Sequence, residues 1–204
     1  MKLPVSFLCV VAAAALSFSA HAQSVKPDVA KGAATYGQVC VACHAADGNS
    51  VTPENPMLAQ QHPEYLVKQL QEFKSGKRAN PIMQGMVAAL SDDDMRNIAW
   101  WLADQKAREG FATDKDLVRL GERIYRGGIA DRQIAACAGC HSPTGAGIPS
   151  QYPRLKGQHA GYTAAQLKAF RDGTRANHIQ MTGVAAKMND REIQAVSDYI
   201  AGLR

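Results

Sequence analysis

The sequence predicts an all-α protein made of two tandem copies of one small domain. Three observations carry this expectation. The chain repeats itself at an offset of 97 residues, apolar residues recur at helical spacing in each copy, and no segment alternates with the period of two that a half-buried strand requires.

The ends come first. Met1 and Lys2 form a short positive start, Phe7 to Phe18 is apolar except for Ser17, and Ala20-His21-Ala22 is a small-x-small cleavage signal. Residues 1–22 are therefore expected to be a cleaved signal peptide that takes Cys9 with it. An uncleaved anchor is the alternative, but the run is short of the roughly 20 apolar residues that span a bilayer. The mature chain, Gln23 to Arg204, holds 182 residues. We read it as an N-terminal domain over 23–110 and a C-terminal domain over 111–204. Without Lys2 it carries 22 Lys+Arg against 18 Asp+Glu, and the basic residues are scattered. That dispersal excludes a concentrated nucleic-acid footprint.

The repeat aligns Cys40-Val41-Ala42-Cys43-His44 with Cys137-Ala138-Gly139-Cys140-His141. It continues through Pro56 and Pro153, Gln61-His62 and Gln158-His159, and Tyr65 and Tyr162. Gln69-Leu70 then falls on Gln166-Leu167, Phe73 on Phe170, and Arg78-Ala79-Asn80 on Arg175-Ala176-Asn177. One inserted residue follows, after which Met83 pairs with Met181 and Gly85 with Gly183. Two copies at this long period mean a duplicated domain rather than a solenoid.

Each copy reads as three helices. Asp28 caps the first, which carries Gly32 and Tyr36. A second opens at Pro63, places Leu66, Leu70 and Phe73 on one face, and stops at Gly76. The third follows the capping box Ser91 to Asp94 and presents Met95, Ile98, Trp101 and Leu102. Asn189 and Glu192 repeat that box before Ile193, Val196, Tyr199 and Ile200. The polar stretch Asp104 to Asp116, with Gly110, reads as the linker.

Two cysteines three apart and followed at once by histidine suit covalent haem attachment: the thiols add to the two vinyl groups and the imidazole reaches the iron. Cys40, Cys43, Cys137 and Cys140 are every cysteine of the mature chain, and all serve this motif. We therefore expect two covalent haem c groups, with His44 and His141 as axial ligands. A four-cysteine zinc site is the first alternative. It needs the pairs close in space, whereas 93 residues intervene between Cys43 and Cys137. A disulfide within each pair is the second; it leaves both histidines unexplained. For the remaining axial position, methionine thioether gives a saturated low-spin iron with a raised potential. Only Met83 and Met181 are methionine in both copies, which selects them over Met57, Met86, Met95 and Met188. His62 and His159 also repeat, and the competing reading makes them ligands. At only 18 residues from His44 and His141 they read better as a polar surface or propionate contact. His178 faces Pro81 in the repeat and reads as a surface residue.

These residues resemble the dihaem cytochromes c4, built from two class I cytochrome c domains, and the resemblance covers nearly all of the mature chain. It implies an all-α fold of two tandem cytochrome c-like domains. In each, the first and last helices cross at a glycine and an aromatic: Gly32 and Tyr36 against Ile98 and Trp101, then Gly121 and Tyr125 against Val196 and Tyr199. Eight extra residues between Tyr125 and Cys137 lengthen one loop of the second copy. Pro56 and Pro153 resemble the family proline whose carbonyl accepts the Nδ1 proton of the ligating histidine. Gln61 and Gln158, Tyr65 and Tyr162, and Arg78 and Arg175 stand for propionate contact or for packing. The resemblance implies an electron carrier and not an enzyme. Its partners would be redox proteins, membrane-bound respiratory complexes among them: a quinol-oxidising donor and a terminal oxidase or other acceptor. No nucleic acid or small-molecule substrate is expected. The expected location is the periplasm, either free or loosely membrane-associated. A dihaem peroxidase is the alternative enzyme, and a haem subunit of a larger oxidoreductase is the alternative assembly.

Overall fold

The structure, a computed structural model, describes residues 26–204. The expected signal peptide, with Cys9, lies outside the described residues. Ten α-helices and one 3₁₀ turn make up the described chain, with two isolated bridges and no strand among those residues. The all-α reading of two tandem copies holds.

Five helices fall in each half. The first half has α1 (Val29–Val39), α2 (Val41–His44), α3 (Pro63–Lys74), α4 (Pro81–Val87) and α5 (Asp92–Ala103). The second has α6 (Lys115–Gly127), α7 (Ala138–His141), α8 (Ala160–Arg171), α9 (Ile179–Ala185) and α10 (Asp190–Ala201). The predicted starts are where the caps put them. Asp28 accepts the Lys31 N–H at 2.9 Å, Pro63 occupies the first turn of α3, and both capping boxes close. The three-helix reading omits α2, α4, α7 and α9. These have four or seven residues, too few to display an apolar stripe.

Each half has its own core. Tyr36, Leu66, Phe73, Met95 and Ile98 are among the buried residues of one cluster; Tyr125, Leu167, Phe170, Ile193 and Val196 are among those of the other. Both cores depend on a close helix crossing. A Cβ on Gly32 would lie 2.2 Å from the Asn97 carbonyl oxygen of α5, and one on Gly121 2.1 Å from that of Ala195 in α10. Only a residue without a side chain fits there. The neighbouring aromatics then meet, Tyr36 with Trp101 at a centroid distance of 4.6 Å and Tyr125 with Tyr199 at 5.6 Å.

Of the stretch read as a linker, residues 104–114 join α5 to α6 and the last two open α6; the join is strapped down. Asn49 receives the Arg108 N–H at 2.8 Å and donates to the Lys106 carbonyl at 2.9 Å. The buried Asp198 carboxylate then takes the N–H groups of Thr113 and Asp114 at 2.8 and 3.1 Å. The longer loop of the second copy holds the 3₁₀ turn Ala130–Arg132 and sends Ile134, 3% exposed, into the core.

The crossing yields a test. Gly121→Ala should lower the urea midpoint sharply, because backbone must move to admit the methyl group, at a cost above about 2 kcal/mol. Gly37→Ala meets nothing within 4 Å and should stabilise by about 0.5–1 kcal/mol. Equal midpoints for the two variants would contradict the packing.

Candidate haem centres

The helical turn α2 ends in His44, 7% exposed, and α7 ends in His141, 6% exposed. Tyrosines on the preceding helices hold both turns. Tyr36 Oη donates to the His44 and Ala45 carbonyls at 3.1 and 2.7 Å, and Tyr125 Oη to the Ser142 carbonyl at 2.7 Å. The proline contact implied by the resemblance is present twice: His44 Nδ1 lies 2.9 Å from the Pro56 carbonyl and His141 Nδ1 3.0 Å from that of Pro153. A carbonyl can only accept, so Nδ1 carries the proton and Nε2 is left bare, the tautomer in which imidazole binds iron. Burial pushes both imidazoles below their ordinary pKa, which keeps them neutral.

The four cysteines are unpaired, against the disulfide alternative. Among the described residues no group of three or more His, Cys, Asp or Glu is placed to hold a metal ion, against the zinc alternative. Burial raises the Cys40 and Cys137 thiols to about 11, so neither is a ready nucleophile in the folded chain.

A continuous cavity of about 760 Å³ runs through both halves, and Cys40, Cys43, His44 and Met83 line it together with Cys137, Cys140, His141 and Met181. Met83 and Met181 stand on α4 and α9, half-buried at the edges of the two cores. Met95 is fully buried and Met188 is 4% exposed among core residues, while Met86 is 44% exposed. The donor set therefore fits the group: in each half two thiols and a bare imidazole nitrogen face a thioether around an apolar-walled space.

Other repeated residues have a role the sequence reading did not assign. Gln61 accepts the Arg154 N–H and donates to the Arg154 carbonyl, both at 2.8 Å. Gln158 does the same to Met57, at 3.0 and 2.9 Å. Arg78 donates to Tyr162 and Gln166 of the other half, at 2.9 and 2.8 Å. Arg175 answers with Tyr65 and Gln69, at 3.3 and 3.0 Å. Burial alone would raise the Tyr65 phenol, but Arg175 and Arg78 outweigh it and hold it below its ordinary value. His62 and His159 are half-buried and do not line the cavity. Their Nε2 atoms donate to the Ala146 and Ser50 carbonyls across the interface, each at 2.9 Å. His178, read as a surface residue, is half-buried: its Nδ1 is buried without a partner, and its ring stands edge-on to Tyr152 at 6.2 Å. Sequence alone marked most of these residues as repeated, but repetition does not say which half a side chain faces.

No helix among the described residues is long and apolar enough to cross a membrane. The cytochrome c family profile matches residues 29–106 and again 121–204. The chain is 47% identical to cytochrome c4 of Pseudomonas aeruginosa over 85% of its own length and 90% of the relative's. It is 38% identical to the thiosulfate dehydrogenase electron acceptor of Stutzerimonas stutzeri, covering 95% of this chain and 92% of that one. The crystal structure of reduced cytochrome c4 from Pseudomonas stutzeri superposes with a TM-score of 0.84 at 43% identity, over 88% of this chain and all of that one. With two copies of the motif, two matched segments and two centres in one cavity, the chain belongs to the cytochrome c4 family: it is a dihaem electron carrier with two covalently bound haem c groups and is not an enzyme.

Proposed function

We propose that Cys40 and Cys43 hold one haem and Cys137 and Cys140 the other, with His44 and Met83, then His141 and Met181, as the axial ligands. The observation that carries this is the double proline contact, which leaves a bare Nε2 in each half at the wall of a cavity that a methionine also lines. The bound groups supply one-electron transfer. The chain's part would be to hold each group through a histidine and a methionine, which would leave no place for a substrate, and to exclude water with two apolar cores. Residues 23–110 and 111–204 serve as the two domains. We place the mature protein in the periplasm, following the leader at residues 1–22, where it carries electrons between a quinol-oxidising complex and a terminal oxidase or other acceptor. The likeness to a thiosulfate dehydrogenase electron acceptor supports a second donor, a dehydrogenase acting on reduced sulfur compounds. Kinetics of reduction by each donor class would separate the two.

Covalent attachment and ligation are tested together. Cys137→Ala with Cys140→Ala should leave one haem per chain. Met83→Ala and Met181→Ala should each remove about half of the weak near-infrared sulfur-to-iron band of the oxidised protein, because the two centres have like ligands. A full band in both variants would refute the assignment.

Folding should depend on the cofactor. Each half has about 90 residues, where an apolar core alone is marginal, and the cavity removes the centre of both cores. Circular dichroism of haem-free chain should show little cooperative unfolding.

The two potentials should differ. Residues 23–112 carry 9 Lys+Arg against 10 Asp+Glu, and 113–204 carry 13 against 8. Positive surroundings favour the reduced state, so the centre at His141 should have the higher potential. The gap should narrow as salt screens charges beyond about 8–10 Å. Potentials assigned through the single-methionine variants decide it.

A further inference from the structure

The helices that bear Met83 and Met181 are equivalent in sequence but are anchored differently. Helix α4 caps itself: Asn80 is exposed, and its Oδ1 accepts the Met83 N–H at 2.9 Å. The equivalent Asn177 caps nothing. Helix α9 begins after His178, whose side chain makes no cap bond and whose Nδ1 is buried without a partner. Asn177 is turned inward instead, 6% exposed. Its Nδ2 donates to Glu72 Oε2 at 2.6 Å and to Gln69 Oε1 at 3.2 Å, and its backbone carbonyl accepts Lys68 Nζ at 3.3 Å. Lys68, Gln69 and Glu72 all lie on α3 of the other half. Lys68 also binds both Glu72 oxygens at 2.7 Å, and Lys77 Nζ reaches the carboxylate at 3.1 Å. The repeat places Ala165, Ala169 and Thr174 at the positions of Lys68, Glu72 and Lys77. The clamp therefore runs in one direction only.

We infer that Glu72, with Lys68, is a positioning residue for Met181 across the domain interface: it fixes the chain that enters α9, and so sets how firmly the second centre keeps its methionine. The inference rests on Met181 being an axial ligand. Burial alone would raise the Glu72 carboxyl, but Lys68, Asn177 and Lys77 outweigh it and hold it below its ordinary value, so the clamp is ionised at neutral pH. An end with no cap of its own opens locally unless something else holds it. For α9 the groups of the first domain join one from its own, Arg175, whose Nε donates to Asn177 Oδ1 at 3.0 Å; α4 keeps its own Asn80 cap, and its tie to the second domain stops at Arg78, two residues earlier. The two centres should therefore differ in ligand lability although their donor sets are the same.

The haem-loaded full chain tests this with Glu72→Ala, Glu72→Gln and Asn80→Ala, read by amide hydrogen exchange and by imidazole displacement of the near-infrared band. Glu72→Ala should speed exchange in residues 179–185 about tenfold and leave 81–87 unchanged, since a buried hydrogen-bonded charge is lost. About half of the band should then yield to roughly tenfold less imidazole. Glu72→Gln should fall between, because its amide oxygen still accepts from Asn177. Asn80→Ala should show the opposite pattern, with faster exchange in 81–87 only. Unchanged exchange in Glu72→Ala, or equal acceleration in both segments, overturns the inference. Faster exchange with unaltered displacement overturns it too, because the clamp would then hold backbone without setting the ligand. Loss of half the band in Met181→Ala distinguishes that result from a failure of the ligand reading itself.

Discussion

Much of this structure hangs on the close approach of two helices at a glycine. Because Gly32 lets α1 sink onto the Asn97 carbonyl, Tyr36 reaches past the helix and holds the carbonyls of His44 and Ala45. That fixes the last turn of the cysteine motif, so the His44 ring meets Pro56 and presents its other nitrogen to the cavity. Gly121, Tyr125, Ser142, His141 and Pro153 repeat the chain of causes in the second half. A methyl group at either glycine would act on the buried histidine three contacts away.

The seam between the halves obeys a different physics. Arg78 and Arg175 are 7% and 8% exposed, yet their donors go to glutamine, asparagine and tyrosine oxygens rather than to carboxylates. Each guanidinium also lies over a phenylalanine, Arg78 at 4.5 Å from the Phe73 ring and Arg175 at 4.3 Å from Phe170. Planar cations with several donors can be buried this way because hydrogen bonds and ring faces replace their water. Removing one partner would cost the seam a hydrogen bond to a charged group, about 1.5–3 kcal/mol.

The helix starts were legible because each follows from capping residues near one another in sequence, and the glycine crossings because the family resemblance implied them. The seam was not. Gln61 and Gln158 bind backbone atoms of Arg154 and Met57, positions whose side chains differ, so no pattern of residue types announces the contact. The helices α4 and α9 escaped because seven residues show no periodicity. His178 was misplaced because a residue without a counterpart was taken for one without surroundings, whereas the inward turn of Asn177 draws its neighbour in.

The reciprocity of the seam bears on how such a chain arises. Gln61 does to the second half what Gln158 does to the first, and Arg78 and Arg175 exchange equivalent partners. Contacts in which a patch meets its own equivalent define the isologous interface of a twofold dimer. A single domain bearing this glutamine, tyrosine and arginine set already has the surface to bind a copy of itself. Fusion of two such genes would keep the geometry and raise the effective concentration of the halves. It would also free each copy to change alone, as Glu72 and Ala169 have done.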